Sequence, residues 1–172
     1  MLSTIILCAP LGASSSRDPS EGIVRTLAAL VPAVIEGVIR DVTLAGSAAH
    51  GLARLADHAG CAFVEGANPA DWLGQAIQVA KGPLLFVLDE GRAPESSFLE
   101  EAEDLMRFSE RYALLHKEPE TMVTRLLPRL AGPAGIILPR EDCAGKTLDS
   151  VKSLMRLAKN PRHLRAFARR CG

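Results

Sequence analysis

The run Leu84-Leu85-Phe86-Val87-Leu88 constrains this chain more than any other stretch. It is continuously apolar, rich in strand-forming side chains, and bounded by Gly82-Pro83 before it and Asp89-Glu90-Gly91 after it. A strand with no polar alternation is one that is covered on both faces, which is the situation of a parallel sheet between two layers of helix. Shorter runs of the same kind lie at 3–8, 38–45, 61–64, 111–115 and 135–138. Between them fall stretches with helical spacing. Ser20 is an N-cap ahead of Ile23, Leu27, Leu30 and Val31, with Pro32 expected to interrupt the pattern. Leu52, Leu55 and Ala59 share a face that Gly60 closes, and Asn68-Pro69 opens a helix carrying Trp72, Ala76 and Val79. Further helices are expected at 97–108, with acids in its early turns, at 120–130, where Pro128 should disturb the last turn, and at 147–159. Strands alternating with helices of about ten residues predict an α/β fold with a mostly parallel central sheet. One domain over 1–159 is expected, followed by a basic tail over 160–172.

Charge narrows the function. The 172 residues carry 20 Lys and Arg against 20 Asp and Glu, and aromatics make up 4%. A neutral chain poor in stacking side chains lacks the footprint of a nucleic-acid binder. Cys8, Cys61, Cys143 and Cys171 show no zinc-finger spacing and read as reduced thiols of a cytoplasmic protein. The apolar start lacks the basic residues of a signal peptide, and no run reaches the ~18 apolar residues of a membrane span. In the tail, Arg162, Arg165, Arg169 and Arg170 recur three or four apart, interleaved with Leu164, Phe167 and Ala168. That spacing suggests a basic helix, either touching anionic lipid headgroups peripherally or solvated and paired with acids. In a neutral chain the second reading is preferred.

Ligands of parallel sheets bind beyond the carboxyl ends of the strands, here the segments 9–20, 45–50 and 89–94. None has the glycine spacing of a phosphate loop. Asp89 and Glu90, directly after the most apolar strand, are two carboxylates at a strand mouth, where they could hold a divalent cation on phosphate oxygens or serve as solvated turn residues. His50 sits at a second mouth and could hydrogen-bond a ligand. Trp72, with Leu73 and Ile77, fits helix–sheet packing better than a sugar platform.

In the order of its segments the chain resembles the family 2 glycosyltransferases of the GT-A type, which use nucleotide-activated sugars. The stretch 82–94 (GPLLFVLDEGRAP) is similar to that family's strand and Asp-x-Asp loop. The stretch 23–31 (IVRTLAALV) resembles its first helix, 41–59 its second strand, loop and helix, and 135–141 (GIILPRE) its later strand. The likeness spans about residues 1–157. It implies a GT-A-like α/β/α sandwich, a nucleotide-sugar donor with an unidentified acceptor, and Mg²⁺ or Mn²⁺ on the diphosphate. By position it assigns Ser47, His50, Asp89 and Glu90 to the donor side, Asp89 to the metal, and Asp149 to the catalytic base. The chain departs from the pattern where chemistry is carried. Ala45 and His50 stand where the second loop has Asp, Gly91 stands for the second acid of Asp-x-Asp, and Ser150 falls on the usual base. These losses raise an alternative, a catalytically inactive scaffold or regulator that keeps the fold. Ala- and Leu-rich helices are compatible with a homodimer.

Overall fold

The computed structural model describes residues 1–8, 19–47 and 51–171. Its sheet has eight strands: β1 (Leu2–Leu7), β2 (Ile39–Gly46), β3 (Ala62–Glu65), β4 (Leu84–Asp89), β5 (Arg92–Pro94), β6 (Ala113–Lys117), β7 (Pro133–Pro139) and β8 (Arg162–Arg170), in the order β3-β2-β1-β4-β7-β6-β8-β5. Four pairings are parallel (β3 with β2, β2 with β1, β1 with β4, β6 with β8) and three antiparallel. The expected mostly parallel α/β sheet is the observed one. As the apolar runs require, β1, β4 and β7 are buried almost throughout.

Helices cover both faces. One core joins α1 (Pro19–Ile35), α2 (Leu52–Ala59) and α4 (Ser97–Arg107) to the sheet through Ile23, Leu30, Leu52, Phe98 and Leu105, with Phe98 stacked on Phe86 at 4.6 Å. The other joins α3 (Pro69–Val79) and α6 (Val151–Met155) through Trp72, Leu73, Val151 and Leu154, over Ile5, Val87 and Ile136. Trp72 is 4% exposed and its Nε1 donates to the Gly66 carbonyl at 2.8 Å, so it packs, as expected.

Several elements differ from the sequence expectation. Helix α1 continues through Pro32 to Ile35. Pro32 and Ala28, whose carbonyl loses its partner, are on the exposed side, where water can take the bond. The 120–130 segment is split: α5 (Met122–Leu126) starts at a Thr121 capping box, and Pro128 begins a separate 3-10 turn to Ala131. The last helix is five residues rather than thirteen, because Ser150 caps it late.

The largest correction concerns the basic tail. It is no helix; 162–170 is the strand β8, inserted between β6 and β5. Leu164, Ala166 and Ala168 are buried and alternate with outward residues, a period of two hidden by the small alanines. Between Leu114↔His163 and His116↔Phe167, β8 advances four residues for two of β6. The bulged amides of Arg165 and Ala166 both donate to the Glu101 carboxylate of α4, at 2.9 and 2.7 Å. Arg162 pairs with Glu110 at 3.3 Å and Arg169 with Glu95 at 2.9 Å, which is the pairing with acids that a neutral chain favours.

Candidate functional site

The strands β1, β2 and β4 end side by side, with Leu7 in register with both Ala45 and Asp89. The end of β2 is drawn tight. A Cβ on Gly46 would lie 2.8 Å from Leu52 Cδ1 and 2.9 Å from Cys8 Cβ, so this position admits only glycine without movement. Ala45 is fully buried in the second core, and its carbonyl accepts from Cys8 N at 2.8 Å. Ser47 follows at half-burial. His50 and the 9–18 segment lie outside the described residues.

The turn after β4 closes the rim. Glu90 N donates to Leu7 O at 2.9 Å, and Gly91, with φ of +63°, adopts the left-handed turn that brings β5 back. Gly91 O accepts from Cys171 N at 2.8 Å, so the end of β8 is tied to the same turn. The first turn of α1 presses on it too: a Cβ on Gly22 would sit 3.4 Å from Gly91 Cα. Strands β4, β7, β6, β8 and β5 therefore curl into a near-closed ring whose rim carries the ends of β4 and β6, at Asp89 and Lys117, and the start of β5, at Arg92.

Electrostatics at this rim centre on Asp89. Burial pushes its carboxyl above the usual carboxylate range, while the charges of Lys117 and Arg92 oppose the shift. The Arg92 side chain is only 16% exposed; it lies 3.9 Å from Glu120, and its Nη1 is buried without a hydrogen-bond acceptor among the described residues. The sequence reading singled out neither Arg92 nor Lys117. Lys117 is 28 positions away from Asp89 and reaches it only through the order in which β7 and β6 pair, which local periodicity does not encode.

Asp149 is exposed at the start of α6, where it accepts from Ser150 Oγ at 2.8 Å. Hydrogen bonds from Ser150, then Ser153, hold its carboxyl below the usual range. Ser150 itself is occupied as the helix cap, accepting from Ser153 N at 3.2 Å.

Among the described residues no group of three or more His, Cys, Asp or Glu could hold a metal ion. A divalent cation seeks several oxygen ligands. Here Gly91 contributes no side chain and two cations flank the desolvated Asp89, so the described donor set does not fit one.

No protein-family model and no curated protein matches the sequence. Solved structures do. TarS of S. aureus superimposes with a TM-score of 0.64 and 13% identity over 98% of this chain. Glucosyl-3-phosphoglycerate synthase of Mycobacterium tuberculosis, solved with Mn²⁺, UDP and glucosyl-3-phosphoglycerate, gives 0.57 and 12% over 82%. These likenesses decide the fold. It is the GT-A fold. The 4-diphosphocytidyl-2C-methyl-D-erythritol synthase of Anaerococcus prevotii matches as well, at 0.60 and 10% over 95% of this chain, so the GT-A likeness extends to a nucleotidyltransferase-like neighbour. The chain spans 60% of the length of TarS, 57% of that of the glucosyl synthase and 87% of that of the third neighbour. Among the described residues no helix is long and apolar enough to cross a membrane.

Proposed function

We propose that the rim at the ends of β1, β2 and β4 is a donor site for a nucleoside-diphosphate sugar, and that the protein is a glycosyltransferase-like member of the GT-A group. The observation that carries this reading is the half-buried Asp89 at the mouth of β4, acted on by the charges of Lys117 and Arg92, beside the glycine-only end of β2. A partly buried charge cluster at a strand mouth is costly to fold and is typical of a ligand site. The glucosyl synthase neighbour, solved with UDP and Mn²⁺, supports a nucleotide as the ligand class. Ser47, His50 and Glu90 fall to the donor side by position, and Asp149 is the remaining carboxylate for a base on the unidentified acceptor. A cytoplasmic setting goes with this donor class.

One second reading is favoured by specific residues. Gly91 in place of an acid, and Ser150 taken up as a helix cap beside an Asp149 of lowered pKa, are what a GT-A scaffold that binds without turnover would show. Calorimetric titration of UDP, GDP and their sugars, with and without Mn²⁺, tests both. Binding that Asp89→Ala changes, followed by sugar release or transfer, is the expected result. Binding without turnover favours the scaffold, and no binding at millimolar nucleotide overturns the donor site.

A further inference from the structure

We propose that Arg92 and Lys117 take the place of a divalent cation in this chain and hold the donor's diphosphate directly. The inference rests on the donor-site reading and deepens it. A diphosphate needs compensating positive charge, and a metal supplies it only where carboxylates hold the metal. At this rim the second carboxylate position is Gly91, which leaves Asp89 and Glu90 on the turn, while Arg92 at the start of β5 and Lys117 at the end of β6 bring two cations whose charges act on Asp89. A divalent ion placed there would meet repulsion from both.

Arg92 is prepared for an anion. Its backbone is fixed by the β5 pairing of Arg92 with Arg170, its side chain is largely buried, and among the described residues its Nη1 has no acceptor. Glu120, at 3.9 Å and 61% exposed, is beyond hydrogen-bond reach and can swing away into solvent. A buried donor without an acceptor is costly, and a phosphate oxygen would satisfy it. The guanidinium fork matches phosphate geometry, while an ammonium such as that of Lys117 at the end of β6 acts as a point charge. Among the described residues nothing lies within 4 Å of a Cβ built on Gly91.

The test is calorimetric titration of UDP, GDP, CDP, ADP and dTDP into the full chain, once in EDTA and once in Mn²⁺, for wild type, Arg92→Gln and Lys117→Met, with thermal melting of each variant. The expected result is that at least one nucleotide binds in EDTA with an affinity within about threefold of that in Mn²⁺. Each substitution then weakens it by about tenfold or more, the weight of one charge-assisted hydrogen bond. If Arg92→Gln melts early, the half-buried Lys117→Met decides alone. Binding that requires Mn²⁺, or binding in EDTA that the folded variants leave intact, overturns the inference and leaves the donor site standing. Failure of all five nucleotides under both conditions overturns the donor site itself.

Discussion

Replacing Glu101 by Ala removes the acceptor on which the bulge of β8 depends. Three contacts from two amides converge on this carboxylate: Arg165 N at 3.0 and 2.9 Å to its two oxygens, and Ala166 N at 2.7 Å to one of them. A hydrogen bond to a charged acceptor contributes about 1.5–3 kcal/mol, and a buried amide left without one costs about 1–3 kcal/mol. Arg165 is exposed, so water can replace part of its bond, whereas Ala166 is fully buried and has no such recourse. The expected loss is about 2–3 kcal/mol, and about half that for Glu101→Gln, which keeps one acceptor oxygen. Urea unfolding followed by far-ultraviolet circular dichroism measures it, and a melting point lower by about 4–10 °C should accompany it at this chain length. Amide exchange at Arg165 and Ala166 should accelerate in the variant. A loss under about 0.5 kcal/mol with unchanged exchange would refute the idea that α4 holds the bulge and that the C-terminal segment is a load-sharing strand of the sheet.

Three other outcomes are expected. Gly46→Ala should destabilise by about 1–3 kcal/mol in urea unfolding, because Cys8 Cβ and carbonyl crowd the new Cβ and cannot both retreat; an unchanged midpoint would contradict the tight rim. Asp89→Asn should stabilise the protein at pH 7, where the half-buried carboxylate is charged against its raised pKa. The gain should shrink as pH falls through that folded-state pKa and vanish below the unfolded value near 3.8, which unfolding midpoints across pH 3–8 would show; a loss of stability at pH 7 would contradict it. Thiol labelling at pH 8 should reach Cys171 well before Cys143, which burial pushes up to about 11, and before Cys8, which burial pushes higher still; rapid labelling of all four in the folded protein would contradict the packing.

The parts of this fold that depend on local pattern were legible in the residues. The apolar run at 84–88 marks a strand covered on both faces, Asn68-Pro69 opens α3 with the Asn68 side chain accepting from Ala70 N and Asp71 N, and Gly60 closes α2 in the left-handed conformation. What stayed hidden depends on pairing between distant segments. The alternation of Leu164, Ala166 and Ala168 is masked by alanine, which suits a helix as well, and arginines three or four apart imitate a helical face. Only the vacancy between β6 and β5 makes that stretch a strand. The site divides the same way. Asp89 is legible because it follows the strongest strand, and Arg92 lies three positions on in the same turn, whereas Lys117 joins them only once β7 and β6 have paired. The carry-over onto Asp149 and Ser150 falls on a helix start, where Ser150 is the cap and the Asp149 carboxylate accepts from its hydroxyl.

The central claim is that the curled rim holds a nucleoside diphosphate. At 18.3 kDa the chain suits two-dimensional amide NMR, and titration with UDP and GDP would report on the non-proline backbone amides at once. The account predicts saturable shifts concentrated at Leu7, Ala45 to Ser47, Asp89 to Arg92 and Lys117. Shifts gathered instead at the opposite end of the sheet, in the cavity of about 320 Å³ lined by Pro83, Arg111 and Arg140, would contradict it, as would a spectrum that millimolar nucleotide leaves unchanged.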